Sequence, residues 1–179
     1  MLDRRSAIKQ FVFASAGIAL LPSCMQDTGK ASILLKNISI SGEQEKMLAE
    51  LCETILPKTD TPGAKDISAH LFALKMADDC AKKEDQQKFM KGLKAFEQTT
   101  KYTFKKSFLE CTPQQRQQLL SKLESSKDPN DDVTMFYGAM KSLTIEAYTT
   151  SQFYLTKVHV YKLVPGAFKG CVPLSAKTS

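Results

Sequence analysis

The sequence has few of the residues that build metal, haem and nucleotide sites. Its 179 residues include two histidines, five cysteines, eight glycines and no tryptophan. The cysteines never stand in CxxC spacing, and no GxGxxG motif is present. Zinc sites, covalently attached haem and dinucleotide-binding folds need such patterns. These absences weigh against an enzyme with a reaction centre of its own.

Long apolar runs and long runs of one charge sign are also missing. No apolar run reaches the roughly 20 residues of a membrane-spanning helix. Seven prolines and eight glycines are too few for a turn-rich all-β fold, and 42% apolar with 25% charged residues is typical of a globular domain. The formal charge of +6 comes mainly from lysines spread along the chain. We therefore expect no nucleic-acid partner.

Residues 1–23 have the layout of an export signal. A basic cluster with Arg4, Arg5 and Lys9 precedes an apolar segment, residues 11–21. A basic start followed by ~7–15 apolar residues is typical of a secretory signal. The arginine pair resembles the twin-arginine motif, which directs folded cargo to export. The alternative is an ordinary secretory signal that contains two arginines by chance.

The segment closes on Leu21-Pro22-Ser23-Cys24, which resembles a bacterial lipobox. Acyl chains attached at the Cys24 thiol would hold the protein on a membrane. The expected location is the periplasmic face of a bacterial membrane, with a lipid anchor. The alternative is cleavage by ordinary signal peptidase, which leaves Cys24 as a spare thiol.

The remaining chain divides into a polar tether, residues 24–41, and a domain, residues 42–179. Apolar residues recur at helical spacing, so we predict an all-α fold, a small irregular bundle of about five helices. The first predicted helix follows a capping box at Ser41 and Gln44 and ends before Pro57, and the second covers Ile67–Cys80. The third is one long helix through Phe89 and Cys111. The fourth is capped by Thr112 with Pro113 at its first position, and the fifth is capped by Asp131 or Asp132.

An extended, non-helical C-terminal arm is predicted from about residue 150, because the helical periodicity is lost from Tyr148 on. The arm carries aromatic residues with poor self-burial, and aromatic residues anchor protein interfaces. The alternative is that the arm packs on its own bundle and completes the core. The candidate interface residues are Tyr148, Phe153, Tyr154, Tyr161, Pro165, Gly166 and Phe168.

The loop at residues 57–64 is a further candidate interface. Pro62 fixes its own φ and Gly63 tolerates a positive φ, which together predict a type II turn. The alternative is that Pro62 and Gly63 only set the angle between two helices.

Cysteines, histidines and paired aspartates give no reaction centre. Four cysteines remain beyond the signal, which allows three pairings. Cys171, in the arm, is the candidate disulfide residue, either within the chain or with a partner, whereas Cys52, Cys80 and Cys111 lie on predicted helices. We predict no catalytic role for His70 or His159. Asp78 and Asp79 are predicted to cap a helix or to lie on a solvated face.

Three segments resemble the gluconate 2-dehydrogenase subunit 3 family. They are Ile55–Ala64 (ILPKTDTPGA), Leu143–Ser151 (LTIEAYTTS) and Val164–Pro173 (VPGAFKGCVP). The resemblance implies a small accessory subunit that binds no cofactor itself. Its partner would be a large FAD-dependent flavoprotein of the glucose–methanol–choline class, which oxidises a sugar or sugar acid. A third subunit with haem c would pass the electrons on.

The resemblance also implies a role in export, maturation and membrane attachment of the large subunit. The rival hypothesis is a stand-alone envelope lipoprotein that acts as a binding or scaffold module.

Overall fold

The computed structural model describes residues 29–126, 128, 131–159, 161–163 and 166. The expectations for the export signal, for Cys24, Pro165 and Phe168 and for the disulfide at Cys171 lie outside these residues. Five α-helices are present in the described part: α1 Gly42–Ile55, α2 Ala69–Lys75, α3 Lys83–Phe104, α4 Pro113–Glu124 and α5 Asp132–Thr149. Two short turns lie between them, the π turn Met76–Cys80 and the 3-10 turn Phe108–Glu110, and a second π turn, Tyr154–Val158, follows α5.

The all-α prediction is confirmed. The same residues contain no strand, and their only β pairing is an isolated bridge between Lys30 and Ser41. Helix α5 lies at the centre of the bundle and contacts α1, α2, α3 and α4. None of the described helices is long and apolar enough to cross a bilayer.

The helix starts follow the predicted capping residues. Ser41 Oγ accepts a hydrogen bond from Gln44 N, and Ser41 N donates to Gln44 Oε1, both at 3.1 Å. Thr112 forms the same reciprocal pair with Gln115 ahead of Pro113. Asp131 is the N-cap of α5 and accepts from Thr134 N at 3.2 Å. These caps form between residues three apart, which is why the sequence reveals them.

The prediction of one long helix through Phe89 and Cys111 is correct at Phe89 and wrong at its C-terminal end. Helix α3 begins at Lys83 and ends at Phe104, and Lys105 turns the chain with a φ of 57°. Phe108 is buried from the following 3-10 turn, with its ring 5.2 Å from that of Phe96. The apolar spacing continues past the helix end because both segments supply the same core.

The second predicted helix is divided. Ile67 precedes it, α2 covers Ala69–Lys75, and residues Met76–Cys80 widen into a π turn. Its cysteine, Cys80, is exposed. All three cysteines in the described part of the chain, Cys52, Cys80 and Cys111, are free thiols, and Cys111 lies just beyond the 3-10 turn rather than on a helix.

The arm prediction is wrong for its first residues. Helix α5 extends to Thr149, so Tyr148 is helical, and Ser151 Oγ then accepts from Tyr154 N at 3.2 Å as a second helical turn begins. The Tyr148 ring packs against the rings of Phe153 and Tyr154, with centroids 6.3 and 5.8 Å away. Aromatic packing and a local serine cap therefore keep this segment helical.

Two mid-helix glycines should respond oppositely to alanine. A Cβ on Gly92 of α3 would lie 2.5 Å from Phe136 Cβ and 2.7 Å from the Asp132 carbonyl oxygen of α5. Gly92→Ala should therefore lower the free energy of unfolding by about 1–3 kcal/mol. On α5, a Cβ on Gly138 would meet no atom within 4 Å. Gly138→Ala should raise the free energy of unfolding by up to about 1 kcal/mol. Urea denaturation measures both, and equal losses at the two positions would contradict this packing.

Candidate functional site

The loop that follows α1 is folded around the carboxylate of Glu53. Glu53 accepts hydrogen bonds from the backbone N–H of Lys58 at 3.0 Å and of Lys65 at 2.9 Å. The Leu56 carbonyl oxygen accepts from Ala64 N at 3.0 Å and closes the loop. A glutamate in the last turn of the helix thus fixes the course of the next ten residues.

Gly63 is required in this loop for space rather than for a positive φ. The predicted type II turn is wrong, because Gly63 is not among the residues with positive φ. A Cβ at this position would lie 2.6 Å from Glu53 Oε1 and 2.6 Å from Lys58 N. Gly63 is buried and Pro62 is half-buried beside it. The loop therefore presents its exposed residues Lys58, Thr59 and Asp60 to solvent, and not the glycine.

Helix α5 leaves an apolar face uncovered. Only three of its 18 residues are charged. The side of a helix that faces water usually carries mainly polar and charged residues. Here Met135 and Ile145 are 43% and 48% exposed. The exposed residues that share this side, which we call the outer face of α5, are Met135, Gly138, Ala139, Ser142, Ile145 and Glu146.

An apolar groove of about 350 Å³ adjoins the outer face. It lies between the π turn Met76–Cys80 and the first halves of α3 and α5. Its walls are mainly apolar, and Asp85 and Lys88 stand at its rim, 3.6 Å from each other. The apolar lining includes Met76, Ala77, Phe89, Met135, Phe136 and Leu143. The groove and the outer face share Met135 and Ala139, so they form one continuous surface.

The described part of the arm adds exposed apolar side chains. Tyr148, Phe153 and Tyr154 are half-buried in their aromatic cluster. Beyond them, Tyr161 is exposed and Leu163 is 83% exposed. Gly166 has a φ of +114°, a conformation that glycine adopts readily. The candidate interface residues of the arm thus divide into a packed aromatic group and a solvent-facing end.

Asp78, predicted to cap a helix or face solvent, is the buried fastening point of the tether. Only 1% of its surface is exposed. Its carboxylate accepts from the backbone N–H of Lys36, Asn37 and Ile38 at 2.8, 2.6 and 2.9 Å. The π turn places this carboxylate towards the tether, so the wall of the apolar groove and the tether are held together. The neighbouring Asp79 instead pairs with Lys75 at 3.0 Å.

The two histidines are not brought together. His70 is half-buried on α2, its Nδ1 atom is buried without a hydrogen-bond partner, and burial lowers its pKa. His159 is exposed and stacks on Tyr154 with ring centroids 6.5 Å apart. Across the described residues, no three histidine, cysteine, aspartate or glutamate side chains are grouped closely enough to hold a metal ion.

The sequence of the folded domain decides the family. Residues 42–166 match the family model described as gluconate 2-dehydrogenase subunit 3. The chain belongs to the gluconate 2-dehydrogenase subunit 3 family. Comparison with curated proteins and with solved structures finds no match.

Membership identifies the chain as an accessory subunit of a multisubunit dehydrogenase complex, and so implies a partner subunit. The match extends from the start of α1 to Gly166 of the arm, and it includes the Glu53 loop and the outer face of α5. An accessory subunit needs a surface for its partner. Within the range of the gluconate 2-dehydrogenase subunit 3 match, the outer face of α5 and its groove form an exposed, mainly apolar surface.

Proposed function

We propose that this chain is the non-catalytic small subunit of a membrane-associated dehydrogenase, and that it binds the large subunit through the outer face of α5. The large subunit would be an FAD-containing flavoprotein of the glucose–methanol–choline class that oxidises a sugar or sugar acid. A cytochrome subunit with haem c would receive the electrons. The observation that carries the proposal is the uncovered apolar side of the bundle's central helix.

Helix α5 carries few charged residues for a helix with one side exposed to solvent. In the chain alone, the side chains of Met135 and Ile145 are exposed to water. Their burial would stabilise a complex by ~25 cal/mol per Å² of apolar area. Neither residue serves the core from this position. A partner that covers the outer face would bury both.

Gly138 supports close approach by another polypeptide. Glycine in an exposed helix costs about 1 kcal/mol relative to alanine. Nothing within the described chain uses the space that its missing side chain leaves, since no atom lies within 4 Å of a Cβ placed there. Ala139 and Ser142, which are also small, lie on the same face. These small residues would let a partner's backbone or helix approach α5 directly.

The adjoining groove supports a side-chain anchor. Interfaces obtain most of their binding energy from a few large side chains that fill apolar pockets. A volume of about 350 Å³ with a mainly apolar lining would admit an aromatic or branched aliphatic side chain of the large subunit.

Export and attachment form the other half of the proposed role. Arg4, Arg5 and Lys9 would bring the folded pair of subunits to the twin-arginine pathway, and acyl chains on Cys24 would hold the complex on the periplasmic face of a bacterial membrane. The large subunit would depend on this chain for both steps.

The test places two arginines on the outer face. In the native host, Ala139→Arg with Ser142→Arg should reduce recovery of the yellow flavoprotein with this chain by at least about 100-fold, because two unpaired charges would enter an apolar interface. The flavoprotein should then remain in the cytoplasm. Copurification and fractionation measure the two effects.

The matched control is Gln118→Arg with Ser121→Arg, two exposed residues of α4 with the same spacing. It should leave flavoprotein recovery unchanged. Equal recovery with both double variants would contradict binding through the outer face. Isolation of the unaltered chain as a lone monomer from its native membrane would favour a stand-alone lipoprotein.

A further inference from the structure

Helix α3 carries an exposed face of a single charge sign. Successive steps of 4, 4, 3, 4 and 3 residues align six exposed positions along the helix. From the first to the last of these positions, the helix extends about 27 Å. We call this set the lysine face: Lys83, Gln87, Lys91, Lys94, Gln98 and Lys101.

Most of these lysines are not neutralised by the fold. Lys91 pairs with Asp132 at 2.9 Å. Lys83, Lys94 and Lys101 make no ion pair within the part of the chain that the structure describes. The carboxylates of Glu84 and Glu97 on α3 flank the face rather than interrupt it. Lys101, at the end of the face, shares a cleft with Glu43 and Glu97 without pairing with either.

A shallow groove of about 460 Å³ runs along the face beside the tether. Lys83, Lys91 and Lys94 line it on one side, and Asn37 and Ile38 line it on the other. No carboxylate lines this groove. Lys83 and Lys94, which make no ion pair in the described chain, therefore line a groove that is open to solvent and suits a negatively charged group. Lys91 lines the same groove while its ammonium pairs with Asp132.

We propose that the lysine face contacts a bilayer that contains anionic phospholipid, and so orients the subunit on the membrane surface. The charge of such a bilayer is complementary to the face, and each lysine near an anionic surface contributes about 1 kcal/mol, a factor of about five in partitioning. The inference deepens the proposed membrane association and does not depend on the identity of the partner subunit.

The composition of the face favours lipid headgroups over an acidic protein. Protein interfaces are enriched in tyrosine, tryptophan and arginine and depleted in lysine. The six positions contain only lysine and glutamine, without an aromatic or apolar anchor at their centre. Lysine is a strongly hydrated point charge on a flexible stem, which suits a mobile layer of phosphate groups better than a fixed protein surface.

The geometry leaves the proposed partner surface open. Phe89 and Gly92 lie on the other side of α3 and pack against Phe136 of α5. Apart from Lys91, which pairs with Asp132 at the start of α5, the lysine face therefore lies on the side of α3 opposite α5. A lipid anchor at Cys24 would act within about 17 Å of Gly29, because only five residues of chain precede it from Cys24. Gly29 itself accepts a hydrogen bond from Gly42 N at the start of α1.

The test measures partitioning of the full chain into vesicles. The probes are vesicles of equal parts phosphatidylglycerol and phosphatidylcholine, with phosphatidylcholine vesicles for comparison. Lys83→Gln, Lys94→Gln and Lys101→Gln together should reduce partitioning into the anionic vesicles by at least about tenfold. Partitioning into the neutral vesicles should not change, and high salt should abolish the preference for anionic vesicles.

The matched control removes three charges elsewhere. Lys46, Lys122 and Lys157 are exposed and lie outside the face. Their replacement by glutamine should change partitioning into the anionic vesicles by less than about threefold, since these lysines would lie away from the bilayer surface. Equal losses for both triple variants would mean attraction by net charge alone and would overturn the proposal.

A second readout separates this proposal from the proposed function. The triple variant of the lysine face should still copurify with the flavoprotein. If it instead retains vesicle binding and loses the flavoprotein, the face binds an acidic protein surface, and the membrane proposal is overturned.

Discussion

Asp78→Asn should lower the free energy of unfolding by about 3–5 kcal/mol. Hydrogen bonds to a charged carboxylate contribute more to stability than hydrogen bonds to a neutral amide, and the buried backbone N–H donors would lose the charged acceptor. The carboxylate now accepts three backbone N–H groups, those of Lys36, Asn37 and Ile38. An asparagine has one acceptor oxygen at this position and would bring its own NH₂ group against the remaining donors. Urea denaturation of the full chain measures the loss.

The loss should depend on pH with a defined sign. Burial would raise the pKa of the Asp78 carboxyl, but the three N–H donors and the charge of Lys75 together hold this pKa below its ordinary value. A carboxyl with a lowered pKa in the folded state stabilises the fold above its ordinary pKa of about 3.9 and loses this effect as the pH falls through the folded pKa. The difference in unfolding free energy between the natural chain and Asp78→Asn should be constant near neutral pH and shrink below about pH 4.

Asp79→Asn is the control for this experiment. Asp79 is the next residue and makes only a solvent-exposed pair with Lys75. Its replacement should change the free energy of unfolding by less than about 1 kcal/mol. Similar losses for the two variants would mean that the tether contributes no stability through Asp78.

Arg116→Ala should cost about 3 kcal/mol of stability, since it removes several hydrogen bonds and an ion pair from one guanidinium. Arg116 donates from Nε to the Phe108 carbonyl oxygen at 3.0 Å and from a terminal nitrogen to the Leu109 carbonyl oxygen at 2.9 Å. Its other terminal nitrogen pairs with Glu50 of α1, and its guanidinium lies over the Phe108 ring, 5.2 Å from the centroid. The side chain therefore ties α4, the 3-10 turn and α1 together.

Arg116→Lys should recover only part of this stability. A lysine can keep an ion pair with Glu50, but it cannot donate in three directions from a planar group. We expect a loss of about 2 kcal/mol for the lysine variant by urea denaturation. Lys122→Ala, on an exposed part of the same helix, is the control and should be nearly neutral. Full stability in Arg116→Lys would mean that charge alone, and not the fork of donors, holds the 3-10 turn.

The elements that could be predicted from the sequence depend on neighbours along the chain. Ser41 with Gln44 and Thr112 with Gln115 are local pairs, and the structure confirms both caps. The end of α3 was missed because Phe104 and Phe108 keep helical spacing across a break in the helix. A capping box at Ser107 and Glu110, visible in the sequence, marks the new start.

The parts of the site that could not be predicted depend on distant contacts. Asp78 meets backbone groups about 40 residues earlier in the chain, a relation that no local pattern encodes. The outer face of α5 was missed for a related reason. Helical spacing indicates one buried side, which contains Phe136, Met140 and Ala147. Whether Met135 and Ile145 are also covered depends on which helices pack around α5. The scarcity of charge along α5 was the available signal.

The hydrogen bonds between the tether and Asp78 mean that the shape of the apolar groove depends on two distant parts of the chain. One wall of the groove is the π turn that Asp78 belongs to, and Asp78 is satisfied only while residues 36–38 lie against it. A side chain bound in the groove and a force on the amino-terminal end of the chain would therefore both act on the π turn Met76–Cys80. If binding in the groove changes how firmly the tether is held, then tension on the tether changes the affinity of the groove by the same free energy. A chain cut back to Ser41 would retain every groove-lining residue and still lose the support that shapes the cavity.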